Sequence, residues 1–225
     1  MNAKHLKQVA AREALTEIRS GMSLGLGTGS TAEELVHILG QAFQSGAIGD
    51  LRCVGTSRAT EALARQYKLP IFDLAVIAPL DLAIDGADEI DDRLRLIKGR
   101  GGALLREKIV EQAARRFIVI ADESKLVSRL GQGVLPIEVT LFARAILERR
   151  FADMNLRPVL RLHDGAPLIT DEGHVILDVR IPEDEDIAVV VAKIVEQAGV
   201  VETGFFPREA TEAIIATEKG IVRRP

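Results

Sequence analysis

Between residues 85 and 108 the chain sets two carboxylates, a lysine, a glycine-rich turn and a further carboxylate in one short segment. It reads Asp85-Gly86-Ala87-Asp88-Glu89 and then Leu96-Ile97-Lys98-Gly99-Arg100-Gly101-Gly102-Ala103-Leu104-Leu105-Arg106-Glu107-Lys108. These are the parts needed to move a proton beside a carbonyl and to hold the charge that results. Asp85 and Asp88 follow the apolar run 82–84, which places them at the C-terminal end of an expected strand. The residues 98–102 lie between an alternating run at 94–97 and a helix expected from about residue 103, so their N–H groups form a nest able to hold an oxyanion. Glu107 falls about one turn into that helix, where position alone reads as a surface glutamate, with Arg106 and Lys108 pointing elsewhere. Glu89, Asp91 and Asp92 read as a solvated acidic turn.

A second motif, Gly25-Leu26-Gly27-Thr28-Gly29-Ser30-Thr31, follows one expected strand and opens an expected helix. Ser30 with Glu33 three residues on has the form of a capping box. Glycines permit a tight turn, a helix N-terminus offers N–H groups and partial positive charge, and three hydroxyls add donors, which suits one phosphate monoester. Dinucleotide and nucleoside triphosphate readings fit badly. The third glycine of a Gly-x-Gly-x-x-Gly pattern would fall at Ser30, no acidic ribose partner follows Gly55-Thr56-Ser57, and there is no Gly-Lys-Ser/Thr. Thr56-Ser57-Arg58 repeats hydroxyls and a cation at a helix start and reads as a second wall of the pocket.

A metal site has little support. Ala87 occupies the position where a calcium loop would place its next ligand, and His5, His37, His163 and His174 are scattered without a paired spacing. Cys53, the single cysteine, sits in the apolar run 51–54 and reads as an inert strand residue. The formal charge of −4 comes without a basic tail or stripe, which disfavours nucleic acid as a partner. No signal-peptide pattern or membrane-length apolar window is visible, and the expected location is cytoplasmic.

The elements that must position these residues follow from periodicity. Apolar runs at 22–26, 51–55, 71–74, 82–85 and 117–121 alternate with helical patterns at 33–39, 60–67 and 104–114, the βαβ logic of a mostly parallel sheet whose ligands bind at the carboxyl ends of its strands. Beyond Gly131 the order becomes β-α-β-β-α-β, with strands at 134–140, 157–162, 174–179 and 200–205, helices at 142–154 and 186–198, and turns at Asp164-Gly165 and 171–173. The fold class expected is α/β: a Rossmann-like catalytic domain of residues 1–130 and 206–225, the stretch 212–221 returning to the first sheet, and a smaller ferredoxin-like α+β domain of residues 131–205.

Five ordered motifs, at 27–31, 56–61, 85–89, 98–108 and 121–125, together resemble the A-type ribose-5-phosphate isomerase family, with Ile176-Leu177-Asp178 similar further on. The resemblance implies an aldose-ketose isomerase that interconverts D-ribose 5-phosphate and D-ribulose 5-phosphate in the non-oxidative pentose phosphate pathway, through a cis-enediolate, without metal or cofactor, as a homodimer. It implies that Glu107 moves the proton between C2 and C1. Lys98 with the N–H groups of Gly99, Arg100 and Gly101 would stabilise the enediolate, and Asp85 and Asp88 would bind hydroxyls and assist ring opening. Thr28, Gly29, Ser30 and Thr31 match the substrate loop, Gly86 and Ala87 lie between the two aspartates, and Lys125 matches a further substrate contact. Arg100 departs from the glycine usual there; if that position needs a positive φ, it costs roughly 1–2 kcal/mol. A phosphosugar sensor without turnover is the rival from another class. The full set of Asp85, Asp88, Lys98 and Glu107 argues against it, as does a stretch 1–21 with space for one helix only.

Overall fold

The computed structural model describes residues 3–208 and 210–225; Met1, Asn2 and Glu209, all within the expected first domain, lie outside them. The described chain divides into two compact units, Met1–Ala87 with Arg106–Lys125 and Arg208–Pro225, and Asp88–Leu105 with Leu126–Pro207.

The first unit is built on a six-stranded sheet in the order Gly220–Arg224, Glu212–Thr217, Phe117–Asp122, Leu82–Asp85, Ser23–Leu26, Arg52–Gly55. All neighbours are parallel except the edge strand Gly220–Arg224, which folds back antiparallel on Glu212–Thr217. The strands Ser23–Leu26, Leu82–Asp85 and Phe117–Asp122 are buried along their whole length, as parallel strands covered on both faces must be. Leu24, Leu26, Cys53, Leu82, Ile84, Ile118 and Ile120 pack on one face against Leu6, Ala10 and Ala14 of the helix Ala3–Leu15 and Leu35, Val36 and Leu39 of the helix Ser30–Gln44. Val54 turns to the opposite face, where it meets Leu80 and Val110. Burial holds the Cys53 thiol up at about 12, the inert residue its apolar run implies. The expected strand at 71–74 does not form. Ile71 makes an isolated bridge to Cys53, and Asp73 instead caps the short helix Leu74–Ile77, its carboxylate accepting the Ala75 N–H at 2.8 Å.

The second unit carries a four-stranded antiparallel sheet in the order Val200–Thr203, Leu135–Val139, Val175–Val179, Val159–Leu160. With the helices Arg144–Asp153 and Ile187–Val195 this is the β-α-β-β-α-β order read from the sequence, around a core that includes Ile137, Leu147, Phe151, Leu177 and Val190. Residues 88–105, 126–130 and 206–207, expected in the first domain, group with this unit. The reason is local pairing: Leu96–Ile97 pairs antiparallel with both Glu89–Ile90 and Phe205–Phe206, and Ile90 bridges Leu126. Glu89, 6% exposed, accepts the N–H groups of Gly131 at 2.7 Å and Gly133 at 2.6 Å. Asp91 is likewise buried, accepting the N–H groups of Arg93 and Arg95 and the Arg95 Nε. Of the three carboxylates expected to form a solvated turn, only Asp92 is exposed. The other two hold loops together, because a buried carboxylate must be surrounded by donors.

Candidate active site

In the first unit the ligand end of the sheet is the end where Leu26, Gly55, Asp85 and Asp122 finish their strands. The strand order reverses between Ser23–Leu26 and Leu82–Asp85, and open α/β sheets bind ligands at such a switch point. Gly27 and Asp85 stand there side by side. A Cβ on Gly27 would lie 2.2 Å from the Asp85 carboxylate, so only glycine leaves that carboxylate its place. Asp85 is 1% exposed and its Oδ1 accepts the backbone N–H groups of Thr28 at 3.0 Å and Gly86 at 2.6 Å. A carboxylate fixed by two main-chain donors is a rigid acceptor for substrate hydroxyls.

Thr28 is tied from the other side as well. Its hydroxyl lies 2.7 Å from Thr56 Oγ1, 2.9 Å from Ser57 Oγ and 3.1 Å from Thr60 Oγ1, and Thr60 Oγ1 donates to the Gly27 carbonyl at 2.9 Å. The expected second wall at 56–57 is thus joined to the first loop through buried hydroxyls. Thr60 belongs to the motif at 56–61, where the sequence assigns it no role; its spacing of three from the N-cap Ser57 is the signal for this one.

The capping box expected at Ser30 and Glu33 is absent. The helix Ser30–Gln44 starts one residue earlier, on Gly29 with φ +100°, and no side chain caps it. Ser30 Oγ instead accepts from Lys7 Nζ at 2.8 Å, a cation on the helix Ala3–Leu15 that sequence distance concealed. Thr31 is buried in the first turn. A helix start without a side-chain cap, beside an ammonium group, suits a phosphate.

Glu107 lies in the helix Leu104–Gln112 and is 3% exposed, not the surface residue that helical position suggests. Lys108 is also buried, while Arg106 approaches Glu61 at 3.7 Å. Gly25 lets this helix come close to the sheet: a Cβ there would stand 2.6 Å from Val110 Cγ1. Lys125 closes the 3-10 turn Glu123–Lys125 directly after the strand Phe117–Asp122, half-buried at the same end of the sheet.

In the second unit the structure brings together Asp88, Lys98 and the turn 99–102. Lys98 is 2% exposed, its N–H donates to the Gly204 carbonyl at 2.9 Å, and its Nζ sits 5.7 Å from the centroid of the Phe206 ring. The Asp88 Oδ2 accepts the Arg100 N–H at 2.9 Å. Gly99 and Gly102 take the positive φ values, +100° and +84°; Arg100 does not, so the backbone has no need of glycine at position 100. Its side chain is exposed, with Nε 3.8 Å from Asp88 Oδ1. No hydrogen bond among the described residues engages the N–H of Gly99 or Gly101.

Among the described residues no group of three His, Cys, Asp or Glu side chains is placed to hold a metal ion, and no helix is long and apolar enough to cross a membrane.

Comparison with known proteins decides the family. Residues 52–220 match the model of ribose 5-phosphate isomerase A (phosphoriboisomerase A). The chain belongs to that family. A ribose-5-phosphate isomerase A of Bacillus mycoides is 45% identical over 221 residues, covering 96% of this chain and 98% of that one. A solved D-ribose-5-phosphate isomerase in complex with phospho-erythronic acid superposes with a TM-score of 0.95 at 39% identity, covering 100% and 99% of the two chains. The ribose 5-phosphate isomerase A of Methanocaldococcus jannaschii gives 0.91 at 37% identity, with 98% of each covered. Family membership makes the chain an enzyme, a sugar-phosphate isomerase of the pentose phosphate pathway, on the α/β fold that its periodicity implies.

Proposed function

We propose that the chain interconverts D-ribose 5-phosphate and D-ribulose 5-phosphate in the cytoplasm through an enediolate, without a metal, using Glu107 as the proton-transferring base. The observation that carries the reading is the burial of Glu107 in a chain of this family: a helical glutamate with no apolar role is kept out of water. The phosphate is assigned to the loop 28–31, where the helix start lacks a side-chain cap and Lys7 stands on Ser30. Asp85, fixed by two main-chain N–H groups, and Asp88, fixed by one, bind hydroxyls and assist opening of the furanose. Lys125 supplies a further substrate contact.

In the open-chain aldose, Glu107 takes the C2 proton. The C2–H electrons form the C1=C2 bond, and the carbonyl pair moves onto O1. Lys98 and the N–H groups of Gly99 and Gly101 stabilise that charge. The Arg100 N–H, already donating to Asp88, orients that carboxylate instead. A proton passes from O2 to O1 as the C2 carbonyl forms, and Glu107 delivers its proton to C1. Each donor aimed at the developing oxyanion contributes about 3 kcal/mol in comparable sites.

The test is conversion of ribose 5-phosphate to ribulose 5-phosphate by purified protein in EDTA, with Glu107→Gln alongside. Turnover in EDTA that falls by about 10³-fold or more in the variant is the expected result, a catalytic base being worth 10²–10⁴. Binding of ribose 5-phosphate by wild type without turnover would sink the reading in favour of a sensor. We also propose a homodimer: Leu141, Phe142, Val159, Leu162, Ile169 and Val189 of the second unit are large exposed apolar side chains of the kind a second copy covers. Light scattering is expected to give twice the chain mass of 24.4 kDa, and a monomer mass rejects the assembly.

A further inference from the structure

We propose that Arg161, held by Asp178, is the positioning residue that aims the turn 99–101 at the reacting oxygens. The inference rests on the role assigned above to that turn. Arg161 lies between the strands Val159–Leu160 and Leu162–His163, and its own N–H donates to the Ile176 carbonyl at 2.9 Å. Its guanidinium meets Asp178 through two parallel bonds, Nε to Oδ2 at 2.9 Å and Nη2 to Oδ1. The remaining arm, Nη1, donates to two consecutive carbonyls, Gly99 at 2.6 Å and Arg100 at 2.9 Å.

A trans peptide holds its C=O and the following N–H in one plane, pointing in opposite directions. Turning the Gly99 and Arg100 carbonyls toward Arg161 therefore turns the N–H groups of Arg100 and Gly101 away from it. The first of these finds Asp88 Oδ2 at 2.9 Å; the second is one of the two donors assigned to the enediolate. The Gly99 carbonyl also accepts the Gly102 N–H at 3.0 Å, which closes the turn around the same plane. Glycine at 99 leaves this backbone free to rotate, so an external clamp is needed to select one orientation. Only a planar fork can hold a carboxylate with one edge and two carbonyls with another; an ammonium group acts as a point charge and cannot. Arg161 and Asp178 are largely buried, their side chains 11% and 18% exposed, so water competes little for the bonds. Asp178 ends the Ile176-Leu177-Asp178 run that the sequence offered without a role.

The experiment compares wild type, Arg161→Lys, Arg161→Ala and Asp178→Asn in ribose 5-phosphate turnover, phospho-erythronic acid inhibition and thermal melting. Arg161→Lys, which keeps charge and most of the bulk, is expected to lower kcat about 10²-fold, the loss seen when one oxyanion donor is removed, with KM within about threefold because few substrate contacts change. Inhibition by phospho-erythronic acid weakens alongside, Asp178→Asn shows the same pattern more mildly, and added guanidinium restores part of the activity of Arg161→Ala. If kcat in Arg161→Lys stays within threefold of wild type, or if every loss follows melting temperature with no guanidinium rescue, Arg161 only supports the fold and the proposal fails. Failure of the underlying reading is distinct: Glu107→Gln would then retain wild-type turnover whatever Arg161 does.

Discussion

Asp85 shows how the candidate site depends on a residue that does no chemistry, Gly27. Its carboxylate occupies the volume a Cβ on Gly27 would take, and its Oδ1 gathers two main-chain N–H groups. Gly27→Ala is therefore expected to leave a folded protein whose Asp85 is displaced, with kcat/KM down about 10²-fold, the order of loss that misplacement by 1 Å brings. Steady-state assay with circular dichroism checks it, and an alanine variant of unchanged kcat/KM would show that Asp85 needs no such exact place. The sequence marks Asp85, Asp88 and Lys98 as candidates, because residue type and position after a strand or before a glycine turn carry chemical meaning. Glu107 was not legible in that way. Helical periodicity places it among charged neighbours, and only the packed structure shows that it is buried while Arg106 remains half-exposed. Lys7 and Arg161 were hidden for a different reason, since each reaches its partner across a long stretch of chain, Ser30 and the 99–100 carbonyls respectively.

The elements that carry these residues were mostly readable, and their failures have local causes. The strands Ser23–Leu26, Leu82–Asp85 and Phe117–Asp122 are continuous apolar runs buried on both faces, the strongest strand signal a parallel sheet gives. At 71–74 the apolar residues were too few to outweigh the Asp73 cap, and a helix formed. Glu89 and Asp91 defied expectation because acidic residues normally stay in water; their donors are backbone N–H groups and, for Asp91, the Arg95 Nε as well, which composition does not reveal. The helix bearing Glu107 depends on Gly25 in a way no turn requires. A Cβ there would meet Val110 at 2.6 Å and Ala83 at 3.0 Å, so the helix must lift from the sheet. Gly25→Ala is expected to cost about 1–3 kcal/mol in denaturant unfolding, as overpacking does, and to reduce kcat more than KM because the proposed base, Glu107, is moved. A variant with native stability and native kcat would refute the dependence of Glu107 on this contact.

At the scale of the whole molecule, the two units were legible from the change of rhythm past Gly131. Their boundary was not, because the short strand Leu96–Ile97, itself paired with Glu89–Ile90, takes Phe205–Phe206 as its other partner, a contact distant in sequence. Long-range ties also close the first unit, and these carry a pH dependence. Arg223 on the last strand donates to Glu13 and Glu17 at 2.8 Å and to Glu212 at 2.9 Å, while Arg116 donates to Glu17 at 3.1 Å. The Arg223 hydrogen bond holds Glu17 below its ordinary value of 4.5, against a smaller opposing effect of burial. The Ser23 N–H and hydroxyl hold Asp81 below 3.8 in the same way. A carboxylate depressed in the folded state binds fewer protons there than in the unfolded chain, so its contribution to stability is complete above the ordinary value and is lost as pH falls through the lowered one. The Arg223 network is partly exposed, which limits each pair to about 0–1 kcal/mol. Arg223→Met should therefore be less stable than wild type by about 1–2 kcal/mol in urea at pH 7 and low salt, with the gap narrowing as pH drops below 4.5, where Glu17 begins to take up a proton. Raising the salt should narrow it as well, since screening weakens partly exposed pairs. A gap that stays constant from neutral pH through acid would assign the loss to the packing of the Arg223 stem and not to its charge.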